Sequence, residues 1–93
     1  MSVDFYIYVA GSTEDGFFVG GSGDHGVVRI GTVFTEARFG RDGLRKPIRL
    51  TVVKILAYGH ELDELPAPVS GRLFLQGEGG AELASRVFIF SEE

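Results

Sequence analysis

Two histidines have carboxylates close by in the sequence, a pattern that could bind a metal ion or transfer a proton. His25 directly follows Asp24. His60 opens an acidic segment whose carboxylates are Glu61, Asp63 and Glu64. Neither histidine has the spacing of a known metal-ligand motif, and nothing places these groups in a cleft that would shift their pKa values for catalysis. We therefore predict solvated loops here, with no metal and no cofactor.

Nucleophilic and phosphate-binding motifs give no better support for catalysis. The chain has no cysteine, and its serines at 12, 22, 70 and 85 lie in glycine-rich turns without a GxSxG pattern. The segment GGSGDHG leads into the strand-like run at Val27, Val28 and Ile30 rather than into a helix, so we interpret it as a hairpin turn and not a phosphate cradle. No GxxxxGK[ST] string is present. The sequence predicts that the protein is not an enzyme.

Charge is unevenly distributed along the 93 residues, although the net charge is only −4. Residues 1–28 and 55–93 are acidic, whereas residues 29–54 carry seven bases against Glu36 and Asp42. Five of these basic residues lie in or beside the segment GRDGLRK and could contact phosphates. They are Arg38, Arg41, Arg45, Lys46 and Arg49.

The chain consists of short β-rich runs between glycine clusters, and these runs must position the charged residues. No long run has apolar residues at helical spacing. In the first run Phe5 and Ile7 alternate with Tyr6 and Tyr8, so a core-facing Phe5 would place both tyrosines on the outer face. The alternative without a binding role is a pair of partly buried tyrosines whose hydroxyls form hydrogen bonds within the barrel.

Later segments carry further structural signals. We predict an exposed loop over Gly40–Lys46, with Pro47 at the entrance of the next strand. The apolar pattern of that strand changes face at Val52 and Val53, which indicates a bulge. Residues 59–68 are predicted to form a loop. Strands then follow around residues 72–76 and 86–90.

Composition and topology together favour one all-β domain over residues 1–93. The 44% apolar content is that of a folded protein. The apolar stretch near the N-terminus is too short for a signal sequence or membrane span, so we predict a cytoplasmic protein that does not contact the membrane. Six or seven short strands must close or stack to protect their edges and cover one apolar face. The candidates are a barrel and a sandwich.

Three stretches resemble the domain 2 barrel of translation GTPases such as elongation factor Tu. They are FFVGGSGDHGVVRIGTVF, then IRLTVVKILAYGHELDELPAPVSGRLFL with Ser70 and Gly71 at its Ala-Gly-like step, and LQGEGGAELASRVFIF. The resemblance implies a small antiparallel closed or nearly closed β-barrel of six to seven strands. The chain departs from the pattern before its last strand, where the family usually has a glycine before an aliphatic pair and this chain has Ala84, Ser85 and Arg86.

Three functions remain open for such a domain. The first is a protein-binding module that uses Tyr6 and Tyr8, or a homodimer formed through a self-complementary edge. The second is an RNA- or ribosome-associated accessory protein that uses the bases from Arg38 to Arg49. The third is an immunity-type inhibitor of a basic protein, for which the candidate acids are Glu61, Asp63 and Glu64 with Glu78 and Glu82.

Overall fold

A computed structural model describes residues 3–39 and 43–91. The strands of this described part, in chain order, are β1 (Asp4–Ser12), β2 (Phe17–Ser22), β3 (Val27–Arg29), β4 (Val33–Phe39), β5 (Leu44–Ala57), β6 (His60–Leu62), β7 (Glu64–Pro66), β8 (Ser70–Glu78) and β9 (Val87–Ser91). A short 3-10 turn at Gly80–Glu82 lies between the last two strands. No helix in the described residues is long and apolar enough to cross a membrane.

Six strands form a closed antiparallel barrel in the order β4, β9, β1, β2, β8, β5, and a β4–β5 pairing completes the ring. The length of β5 makes closure possible, because its first half pairs with β4 and its second half pairs with β8. The end of β5 also pairs with β6 outside the ring. Strands β3 and β7 form a separate two-stranded ribbon. The predicted all-β barrel is confirmed.

Alternation along the barrel strands fills the interior with apolar side chains. Phe5 and Ile7 of β1 are fully buried, as are Phe34 of β4 and Ile89 of β9. The ribbon contributes to the same core through two buried residues, Val28 and Leu65. Burial of one large aliphatic or aromatic side chain contributes about 1.5–3 kcal/mol, so this alternation is the main source of stability.

Bulges bend the strands around the small barrel. The register of β5 against β8 shifts between Val52 and Lys54, where the sequence predicts a bulge. The extra residue, Val53, is left partly exposed. Strand β4 shifts between Phe34 and Glu36 against both of its neighbours. A bulge increases local twist, which allows a short strand to follow a curved wall.

The prediction of a loop over Gly40–Lys46 is wrong for the last residues of that segment. Leu44 already pairs with Phe39, so residues 44–46 belong to β5, and residues 40–42 lie outside the described part. Pro47 is therefore not at a strand entrance. It lies inside β5 opposite Glu36, beside the β4 bulge, where a missing N–H disturbs the ladder least.

Two other turn predictions also need correction. Residues 59–68 contain the short strands β6 and β7, because β6 folds back on β5 and β7 pairs with β3. The segment GGSGDHG is not a hairpin turn, since β2 and β3 do not pair with each other. Its first three residues belong to β2, and residues 23–26 connect the barrel to the ribbon.

Arg86, just before the last strand, adopts a backbone conformation that favours glycine. Its φ is +67°, and its amide donates a 2.7 Å hydrogen bond to the carbonyl of Ile7. The resembling family usually has a glycine near this point. The tertiary hydrogen bond holds the exposed Arg86 in the left-handed region. This backbone conformation costs a residue with a Cβ about 1–2 kcal/mol.

We expect Arg86→Gly to stabilise the protein. Glycine relieves the left-handed strain, and its larger entropy in the unfolded chain offsets part of the gain, so the net increase should be about 0.5–1 kcal/mol. Chemical denaturation measures it. Arg86→Ala is the matched control, because it removes the same side chain but keeps the Cβ, and it should give no gain. Equal stability of the two variants would contradict the account.

Candidate functional site

Tyr6 and Tyr8 lie together on the outer face of β1. Their neighbours Phe5 and Ile7 point into the core, and the two tyrosine rings meet edge to face with centroids 5.3 Å apart. Tyr8 is 56% exposed, and its hydroxyl is 3.0 Å from the Ser22 hydroxyl. Tyr6 is half-buried.

Strand β9 adds two more aromatic rings beside this pair. Phe88 lies directly opposite Tyr6 across the β1–β9 ladder, with ring centroids 4.6 Å apart, and Phe90 follows at 6.1 Å from Phe88. We call Tyr6, Tyr8, Phe88 and Phe90 the aromatic face. The sequence analysis missed the two phenylalanines, although the alternation in VFIF carries the same signal as the alternation in β1.

Arg38 on β4 continues the aromatic face. Its guanidinium lies 4.4 Å from the centroid of the Phe90 ring, a cation–π contact. Arg38 is opposite Phe88 on one side and opposite Arg45 on the other. The Nε atom of Arg38 is buried and has no hydrogen-bond partner among the described residues. Such an orphaned donor is unusual in a folded protein.

Glu36 separates the two arginines at this end. One carboxylate oxygen is 3.7 Å from Nη2 of Arg38, and the other is 3.5 Å from Nε of Arg45. Both are long for charge-assisted hydrogen bonds, which are usually about 2.7–2.9 Å. These residues line an open groove of about 550 Å³, with Thr35, Pro47 and Phe90 among its other walls. We call it the arginine groove.

The structure does not gather all the predicted phosphate-binding residues into one surface. Arg38 and Arg45 share the outer face, whereas Lys46 alternates to the other side of β5. There its ammonium is 3.0 Å from Glu82 and 5.5 Å from the Phe39 ring centroid. Arg49 is exposed opposite Glu78, and Arg41 lies outside the described residues. The described members of the predicted cluster thus lie on β4 and β5, and three of them, Arg38, Arg45 and Lys46, line the arginine groove. Phosphate binding by these residues stays a prediction.

The predicted acidic cluster is divided in a similar way, since Glu61 lies on β6 and Glu64 on β7. Glu61 is 3.8 Å from Lys54, and Glu64 accepts a 3.1 Å hydrogen bond from Arg29. Asp63, between them, is exposed, and its backbone carbonyl accepts from the amide of Ile30. Two of the three carboxylates are thus neutralised locally.

Asp4 and His25 form an ion pair that fastens the β2–β3 connection to β1. One Asp4 oxygen accepts 2.9 Å hydrogen bonds from the amides of Asp24 and His25, and the other is 3.0 Å from the His25 ring. Burial acts to raise the pKa of Asp4, but these hydrogen bonds outweigh burial and hold the pKa below its ordinary value. In turn, the hydrogen bond and charge of Asp4 raise the pKa of His25.

His60 lies at the start of β6, away from this pair in the fold, opposite Ala57. Within the part of the chain that the structure describes, no three His, Asp or Glu side chains are grouped to hold a metal ion. His25 thus makes a structural contact with the distant Asp4.

Tyr58 is an exposed aromatic residue that the sequence analysis did not single out. It occupies the tip of the β5–β6 hairpin, is 81% exposed, and has a φ of +53° next to Gly59 at +75°. A two-residue turn with both φ values positive usually begins with Asn or Asp. The unusual Tyr-Gly pair was the available signal.

We expect Asp4→Asn to lower the pKa of His25 toward 6.5, because the substitution removes the charge that stabilises the imidazolium. NMR titration of the His25 ring measures this shift. Glu14→Gln removes an exposed carboxylate that is not a partner of His25 and should leave the titration unchanged. An unchanged His25 titration in Asp4→Asn would rule out the ion pair.

The same pair sets a pH window for stability. His25 contributes fully below its unfolded pKa of 6.5 and loses this contribution as pH rises through its raised folded pKa. Asp4 contributes fully above 3.8 and loses this contribution as pH falls through its lowered folded pKa. The stability difference between wild type and Asp4→Asn should therefore be largest from pH 3.8 to 6.5.

Comparison with known proteins bears on the fold. No family model and no curated protein matches the sequence. Among solved structures, the chain is similar to translation elongation factor SelB from Methanococcus maripaludis in its apo form, with a TM-score of 0.79 and 15% sequence identity. The match covers 99% of this chain but only 19% of SelB. The resemblance drawn from the sequence is confirmed at the level of fold: the chain has the domain 2-like β-barrel of translation elongation factors.

Proposed function

We propose that this barrel is a non-enzymatic binding module that contacts a protein partner through the aromatic face. The observation that carries the proposal is the continuous contact of four aromatic rings on the outside of the barrel, ending in the exposed ring of Tyr8. The core is filled by other residues, so these rings are not needed inside it.

The chemistry of the aromatic face suits a protein interface. Tyrosine, phenylalanine and arginine are enriched at interface centres. The aromatic rings bury a large area with only two rotatable side-chain bonds each. Three of the rings, Tyr6, Phe88 and Phe90, are half-buried before any partner binds, and the ring of Tyr8 is exposed. Two neighbouring strands of a closed barrel hold them, so little ordering remains to oppose association.

The comparison with SelB gives a second line of support. In that translation elongation factor the matching region is a small share of a larger chain. A barrel of this kind can thus serve as one module among others, and we propose a comparable module role for this chain.

The two other functions suggested by the sequence receive less support. RNA binding would require several unpaired basic side chains in a row, yet Lys46 pairs with Glu82 and the net charge is −4. Inhibition of a basic protein would draw on available acids, yet Glu61 and Glu64 already face Lys54 and Arg29. A homodimer through the aromatic face is one form of the proposed protein contact.

We expect Tyr8→Ser to reduce partner capture at least tenfold, because it removes the most exposed ring of the aromatic face. The measurement is affinity capture from cell extract with quantitative mass spectrometry, with size-exclusion chromatography to detect self-association. Tyr58→Ser is the matched control, since it removes an even more exposed tyrosine from the hairpin tip. The proposal fails if the captured proteins depend on Tyr58 and not on Tyr8.

A further inference from the structure

We infer that the arginine groove binds a carboxylate of the partner, so that the segment docked on the aromatic face is an acidic peptide with apolar side chains. This inference rests on the proposed function and adds the chemistry of the partner. It is carried by Arg38 and Arg45, which line a groove that continues from the aromatic face at Phe90.

The two arginines have hydrogen-bonding capacity that the described residues do not use. A guanidinium has five N–H donors in a fixed fork that matches a carboxylate. Here neither Arg38 nor Arg45 makes a hydrogen bond to a side chain of the described residues, and Glu36 approaches them no closer than 3.5 Å. By contrast, Arg29 and Lys46 are engaged by Glu64 and Glu82 at 3.1 and 3.0 Å.

Glu36 positions the arginines without saturating them. One carboxylate is shared by two guanidinium groups, and Lys46, which also lines the groove, is paired with Glu82. The described side chains thus leave one net positive charge there. The hydroxyl of Thr35 also lines this space. Among the described residues, Asp4 lies opposite Phe90 and is already held by His25 and two backbone amides. An incoming carboxylate therefore meets a positively charged groove.

Stacking on Phe90 prepares Arg38 for this role. The contact at 4.4 Å restricts the guanidinium, and its side chain is only 37% exposed. A restricted donor loses less freedom when it binds, and partial burial reduces screening by salt. The Nε of Arg38 is buried and has no hydrogen-bond partner among the described residues.

The surroundings favour an acidic peptide over a nucleic acid. Arginine stacked on aromatic rings also suits nucleobases, but a nucleic acid strand is bound along a track of several basic side chains. Three basic residues line the groove, and one of them, Lys46, is already paired with Glu82. Closure of the barrel also pairs both edges of β4, of β9 and of β1 as far as Tyr6, so a peptide cannot extend the sheet beside the groove. Recognition must come from side chains, with apolar groups on the aromatic face and a carboxylate in the groove.

The test uses fluorescence anisotropy with two labelled nine-residue peptides of alternating residues, one of Glu and Phe and one of Lys and Phe. We expect the acidic peptide to bind at least tenfold more tightly. Arg38→Gln and Arg45→Gln should each weaken it about tenfold, as loss of a charge-assisted hydrogen bond would. Arg72→Gln is the matched control, because Arg72 stacks on Phe18 elsewhere on the barrel. The exposed position of Arg45 keeps the test valid if Arg38→Gln fails to fold.

Other results would overturn the inference. Equal binding of both peptides, lost in Tyr8→Ser, would reject the carboxylate site and leave the proposed function intact. No binding of either peptide would also reject the carboxylate site. The proposed function is tested separately, by the affinity capture that compares Tyr8→Ser with Tyr58→Ser. Tighter binding of a ten-nucleotide single-stranded RNA, dependent on Arg38, would replace the acidic peptide with a nucleic acid.

Discussion

The pairing of β4 with β5 is the constraint on which the rest of the structure depends. It converts a curved sheet into a closed ring, so the barrel strands have no free edges and one interior. Every residue of these strands must then point inward or outward. The inward set is apolar and closely packed, with Phe5, Phe34 and Ile89 among the residues without solvent exposure. The side chains available to contact a partner are therefore those that point outward.

The outward set is not a uniform polar shell. On β1 and β9 it consists of aromatic rings that pack laterally, and on β4 and β5 it changes to arginines around Glu36. Phe90 joins the two parts because it touches Phe88 on one side and the Arg38 guanidinium on the other. One continuous surface thus combines apolar area with available positive charge, although the protein as a whole is acidic.

The sequence predicts features that depend on local alternation. The direction of Tyr6 and the bulge at Val53 both follow from apolar periodicity, and the barrel follows from strand number and the family resemblance. Features that depend on distant pairing were not predictable. Leu44 joins β5 only because Phe39 is its partner, and Lys46 turns away from Arg45 only because that segment is a strand. The contact of Asp4 with His25 was not predictable either, because it joins β1 to the β2–β3 connection, 21 residues away.

Site-specific photo-crosslinking tests the central claim most directly, namely that the aromatic face is where this protein meets its partner. A benzophenone amino acid replaces Tyr8 in one variant and Val53 in another, a partly exposed residue at the β5 bulge. The account predicts a discrete crosslinked partner from position 8 and none from position 53. A partner crosslinked from position 53 and not from position 8 would contradict it.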